Sequence, residues 1–201
     1  MKLSQLAAVK GGKGPAPAFA PVDLCRAFFA IGSQQPLSRL ELSELLGIGE
    51  GSTRSVIAEL AEKGVVEIVK KGCVITREGK EMLREVSEKV FGAAIQPTEA
   101  SFNHPCHALL LKGAASRVSD VLGARDAAVR QGGLGATIIV LQGRLLYAGK
   151  EKHAVGEKTA QALQKALDAR EGDAIVLGYA TQRLFAERGA WAAALQTGVL
   201  P

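Results

Sequence analysis

Residues 38–71 constrain the fold of this chain more than any other stretch. Ser38, followed three residues later by Glu41, is a capping-box pattern that starts a helix. Leu40, Leu42, Leu45 and Leu46 supply the apolar positions of that helix, and Gly47 ends it. The turn Gly47-Ile48-Gly49-Glu50-Gly51 follows. A helix is then expected over residues 52–63, with Gly64 as its stop. Two β-rich runs, 65–69 and 73–76, are joined by Lys70-Lys71-Gly72, which is a hairpin signal. Upstream, Pro21-Val22-Asp23 opens a helix whose apolar positions include Leu24, Ala27, Phe28 and Ile31. Downstream, residues 77–91 read as an amphipathic helix with Met82, Leu83, Val86, Val90 and Phe91 on one side. Helix, helix, glycine-rich turn, helix, hairpin, helix is the order of a winged helix-turn-helix domain.

That domain accounts for residues 21–91 of the 201. Residues 1–20, rich in Gly, Ala, Pro and Lys, read as a flexible tail. Residues 92–105 contain two prolines and no periodicity, and read as a linker. The remainder, 106–201, alternates strand and helix signals. Strands are expected at 106–112, 136–141, 145–147 and 174–179, and helices at 116–131, 155–170 and 181–196. The order βαββαβ suggests a ferredoxin-like α+β sandwich with its helices on one face of the sheet, closed by one more helix. The whole is an α+β protein of two domains.

On the helix at 52–63, Val56, Ile57 and Leu60, with Thr53, fall on one face. The other positions, Ser52, Arg54, Ser55 and Ala58, are slim or basic. A helix that enters the major groove needs such a profile, with donors for phosphates and base edges. Gly51 lets the backbone approach closely. Glu59 and Glu62 would repel phosphates, so insertion by the N-terminal turns is expected. Lys70 and Lys71 at the hairpin tip suit a phosphate backbone, and Arg39 and Arg77 are further phosphate candidates. With Arg54, five such contacts imply a slope of roughly −4 to −5 in log K against log salt. The net charge of +5 is divided almost evenly, +2 over 1–92 and +3 over 93–201. Bulk charge therefore does not make the case for DNA; local placement does.

The stretches LSRLELSELLGIGEGSTRSVIAELAEKGVVE (37–67) and GARDAAVRQGGLGATIIVLQGRLLYAG (123–149) resemble archaeal winged helix-turn-helix transcriptional regulators that carry a C-terminal domain of unknown function. The resemblance implies a regulator that binds double-stranded DNA, with an uncharacterised C-terminal module. Ser52-Thr53 stands where the pattern has Thr-Val, which leaves the character of the exposed face unchanged.

In the C-terminal half, Arg125, Asp126 and Gly133 form a candidate effector site, on the reasoning that glycine-rich amides near an Arg suit a carboxylate or phosphate. The glycine run lacks a following Lys-Ser/Thr and does not open a helix after a strand. It is no nucleotide-binding loop, and no cofactor is expected. His104, Cys106 and His107 have the ligand types of a zinc or nickel site, but adjacent strand residues face opposite ways and a fourth ligand is not evident. No nucleophile elbow or acid pair supports an enzyme. Three widely spaced cysteines read as buried reduced thiols. With no apolar stretch near the ~20 residues of a membrane span and no signal peptide, the expectation is a cytoplasmic homodimeric DNA-binding regulator with no membrane association. A small-molecule effector is a further expectation. The alternatives are a metal-handling or enzymatic C-terminal domain that uses the N-terminal domain for docking, and an RNA or protein adaptor.

Overall fold

A computed structural model describes residues 2–9, 19–149 and 153–200. The chain divides into two units, Met1–Val86 and Ser87–Pro201.

The N-terminal unit contains α1 (Leu3–Ala7), α2 (Pro21–Gln34), α3 (Arg39–Leu46), α4 (Glu50–Glu62), the hairpin β1 (Val66–Val69) and β2 (Gly72–Ile75), and α5 (Arg77–Ser87). Pro21 at the first helical position and Asp23, whose carboxylate accepts from the Ala20 amide at 2.9 Å, start α2. The capping box of α3 is present in both directions: Glu41 N–H donates to Ser38 Oγ at 3.2 Å, and Ser38 N–H donates to Glu41 Oε2 at 2.8 Å. Those bonds hold the Glu41 carboxyl below the usual carboxylate range. Gly47, left-handed at φ 67°, closes the helix. Leu24, Phe28, Ile31, Leu42, Leu46, Val56 and Leu60 are buried together with Cys73 and Ile75 of the hairpin. Each of the Leu, Ile, Val and Phe side chains among them contributes roughly 1.5–3 kcal/mol of burial.

Leu40 and Leu45 are 55% and 40% exposed, because Leu42 and Leu46 at i and i+4 already fill the stripe that faces α2 and α4. Residues 3–7, expected in a flexible tail, are helical, with Leu3 and Leu6 fully buried; 10–18 of the same expected tail lie outside the described residues. The helix read over 77–91 ends at Ser87, and Val90 and Phe91 begin a strand. That strand, β3 (Val90–Ile95), occupies the first part of the expected linker.

The C-terminal unit continues with β4 (Cys106–Leu111), α6 (Val121–Arg130), β5 (Gly135–Gln142), β6 (Arg144–Tyr147), α7 (Glu157–Ala166), β7 (Ala174–Tyr179) and α8 (Arg183–Gln196). Five strands form one sheet in the order β3-β4-β7-β5-β6, with every neighbouring pair antiparallel. The βαββαβ chain order is present, but the strand order is not the ferredoxin-like one. Of the four core strands, β7 and β5 lie inside, where that fold places the first and third. The helices also cover both faces. Ile175, Leu177 and Tyr179 point into a core with Leu163 of α7 and Ile139 of β5. The alternate residue Gly178 lies against α8, where a Cβ would collide with the backbone at Ala186 and Ala190. Covering on both sides explains why all six residues of β7 are buried.

Candidate nucleic-acid interface

The fixed point of this surface is the end of α3. Arg26 of α2 is buried, yet its guanidinium donates to the carbonyls of Leu46 at 2.9 Å and Leu45 at 3.0 Å. It thereby caps the negative end of α3. Buried Asp23 lies 3.8 Å from the same guanidinium. The Gly47 amide bonds back to Ser43, and α4 starts three residues later with Gly49 as its N-cap. Gly51 thus belongs to the first turn of α4, not to the turn before it. Neither Asp23 nor Arg26 stood out as functional in the sequence; their only signal is two opposite charges at i and i+3 in an otherwise apolar helix.

The hairpin is tied to the start of α3. Leu37 and Cys73 exchange both backbone bonds, at 3.1 and 2.7 Å. Gly72, next to Cys73, has φ 136° and no room for a Cβ against the Leu37 carbonyl. This closeness is a reason for glycine there.

On this frame the candidate residues distribute as follows. Thr53, Val56, Ile57 and Leu60 of α4 are buried, while Arg54 and Ser55 are exposed and Ser52 is half-buried. The Ser55 hydroxyl donates to the Gly51 carbonyl at 3.3 Å. Arg39 and Arg54 line one shallow depression of about 230 Å³ with Ile57 and Ala58 of α4 and with Ile68 and Gly72 of the hairpin. Lys70 and Lys71 are exposed at the hairpin tip next to it. Arg39 is not idle: its guanidinium sits 2.9 Å from the carboxylate of Glu50, at the head of α4, with both side chains about half exposed. Arg77 is apart from the depression, at the start of α5, 87% exposed and 3.5 Å from Glu81.

In the C-terminal unit the expected effector grouping does not form a cradle. Arg125 and Asp126 are exposed on α6. The amides of Gln131, Gly132 and Gly133 bond to the carbonyls of Ala128 and Val129, and that of Leu134 bonds to Tyr179. The glycine run is spent on capping the carbonyl end of a helix, where an anion is disfavoured. Arg125 instead acts on Tyr179, whose phenol is raised by burial and partly restored by that charge. The metal candidates separate as well. Cys106 is buried with its thiol 3.7 and 3.6 Å from the Ile95 and Gln96 carbonyls, whereas His107 lies on the other face of the sheet beside Gly92. Among the described residues no three His, Cys, Asp or Glu side chains converge on a metal position. All three thiols are free and buried, and burial, reinforced by Asp23, pushes Cys25 up to about 12.

No sequence motif points to a cavity of about 770 Å³ between residues 115–122, β5 and the segment after β6 at Ala148 and Gly149, with Val118, Leu122 and Val140 as apolar walls and Ser119, Asp120 and Gln142 as polar points. Asp120 is the N-cap of α6. It accepts from Gly123 N–H at 3.0 Å and from Gln196 Nε2 at 2.9 Å, and the Gln196 bond is the main cause that keeps its carboxyl low.

Comparison with known proteins separates the two units in the same way. Residues 27–90 match the family model described as the CggR N-terminal DNA binding domain. Residues 102–197 match a domain of unknown function, DUF4443. The N-terminal unit is thus similar to a DNA-binding domain, and the C-terminal unit to a domain of unknown function. One solved structure, a hypothetical protein PH0730 from Pyrococcus horikoshii OT3, is similar in fold. It has 22% identity and a TM-score of 0.71, and the match covers 89% of this chain and 92% of that one. No curated protein matches the chain. Among the described residues no helix is long and apolar enough to cross a membrane.

Proposed function

We propose that the protein is a cytoplasmic, sequence-specific transcriptional regulator whose N-terminal unit is a winged helix-turn-helix that places the first turns of α4 in the major groove. The observation that carries this reading is the shared depression that joins Arg39, Arg54 and the hairpin strands, within a unit similar to a DNA-binding domain. Arg54 is the base-reading donor, with Ser52 and Ser55 beside it. Lys70 and Lys71 clamp the flanking phosphates, and Arg39 takes a phosphate once Glu50 yields it. Arg77, away from the depression, contributes only to an extended backbone contact. The resemblance of residues 37–67 and 123–149 to archaeal regulators agrees with this reading.

The protein acts as a homodimer, and its C-terminal unit has no catalytic role. A small-molecule effector fits the cavity beside Asp120 better than the Arg125–Gly133 segment, because its volume lies in the usual range for small ligands and it combines apolar walls with a few polar groups. Such an effector acts only through its differential affinity for two placements of the reading units.

Fluorescence anisotropy with genomic fragments tests the DNA reading. Arg54→Ala should lose about 1–3 kcal/mol of discrimination between preferred and random sequence. Lys70→Ala combined with Lys71→Ala should weaken all sequences alike and flatten the salt slope by about two. Unchanged binding in both variants would refute the assignment.

A further inference from the structure

Strand β3 forms one edge of the C-terminal sheet, and its chemistry is unusual for an edge. Its six residues, Val-Phe-Gly-Ala-Ala-Ile, carry no charge and no proline. The pairing with β4 runs unbroken from Val90↔Leu111 to Ile95↔Cys106, so there is no bulge. Natural sheets guard such edges with lysines, prolines, bulges or a covering segment. Here Gly92 and Ala94 are exposed, and Phe91 is 50% exposed.

The hydrogen-bond phase shows which groups the edge presents. The Lys112 amide donates to the Lys89 carbonyl, so bonded pairs continue at 91, 93 and 95 toward β4. The main-chain groups of Val90, Gly92 and Ala94 therefore point outward. Among the described residues no strand pairs with them.

We propose that β3 is a dimerisation strand that pairs antiparallel with β3 of a second copy about a twofold axis at Gly92. In that register Gly92 meets the partner's Gly92 and Val90 meets the partner's Ala94, each pair exchanging both backbone bonds. Phe91 comes opposite the partner's Ala93, so a large ring meets a small side chain. The nearest charges, Glu88 and Lys89, come opposite the partner's Gln96 and Ile95, so no like charges meet across the axis. An antiparallel edge is its own complement under a twofold axis, which is why the occupant is a second copy of this chain. β3 is also the first element after the N-terminal unit in sequence. Pairing here joins two chains next to the points where their N-terminal units are attached. The proposal rests on the homodimer reading above and is independent of DNA binding.

Size-exclusion chromatography with light scattering on the full chain tests it across the micromolar range. The wild type should run at twice the 21.0 kDa chain mass. Ala94→Pro removes an outward N–H without touching the bonds to β4, and it should run at the single-chain mass with an unchanged far-UV circular dichroism spectrum. Phe91→Lys, at a half-exposed position, should do the same and decides the matter if the proline variant does not fold. Folded variants that remain dimeric would overturn pairing through β3 and leave the homodimer; a monomeric wild type would overturn both.

Discussion

Arg26 shows how one residue can set the geometry of a surface it never reaches. Its two bonds to the last carbonyls of α3 fix where that helix ends and therefore where α4 begins. Removing it leaves Asp23 buried beside an uncapped helix end. Loss of one partner from a buried pair costs about 3–5 kcal/mol. Arg26→Ala should therefore lower the unfolding free energy of the N-terminal transition by an amount in that range, read as a lower urea midpoint at unchanged slope, and DNA binding should weaken in parallel. A midpoint within experimental error of wild type would show that the guanidinium is dispensable. Beyond the opposite charge of Asp23 three residues before it, the sequence does not mark Arg26, because its role depends on a carbonyl twenty residues away.

At the level of elements, α3, α4 and the hairpin act as a set. The Arg39–Glu50 pair bridges the start of α3 and the start of α4, but half-exposed pairs contribute only about 0–1 kcal/mol. A phosphate can therefore displace Glu50. Under the DNA reading, Glu50→Gln should raise affinity by roughly two- to five-fold, the range set by that energy, and steepen the salt slope by about one. Weaker binding in this variant would mean that Glu50 organises the surface and does not compete for Arg39. Helical periodicity found the buried face of α4 correctly, at Thr53, Val56, Ile57 and Leu60. It failed on β3, because Val90 and Phe91 continue the apolar spacing of α5 for one more turn. Only their pairing with Leu111 and Leu110 makes them strand.

Across the molecule, each unit has its own core, and the C-terminal one is covered on both faces of its sheet. Residues 87–201 expressed alone should unfold in one cooperative urea transition, with a slope of about 1–3 kcal/mol/M. They should also show the same mass doubling as the full chain. Gradual, non-cooperative melting would mean that the N-terminal residues complete this core. The two family matches, 27–90 and 102–197, follow this division, the first running four residues past it.

Local chemistry was readable from residue order alone. The capping box at Ser38 and Glu41, the left-handed glycine at Gly47 and the lysine-tipped hairpin act over a few residues, so neighbours in the chain suffice to specify them. Strand order, the use of the Gly132–Gly133 amides as a cap and the cavity beside Asp120 depend on segments tens of residues apart. They follow from which faces find apolar cover and which carbonyls need a donor, and those partners exist only once the chain has packed.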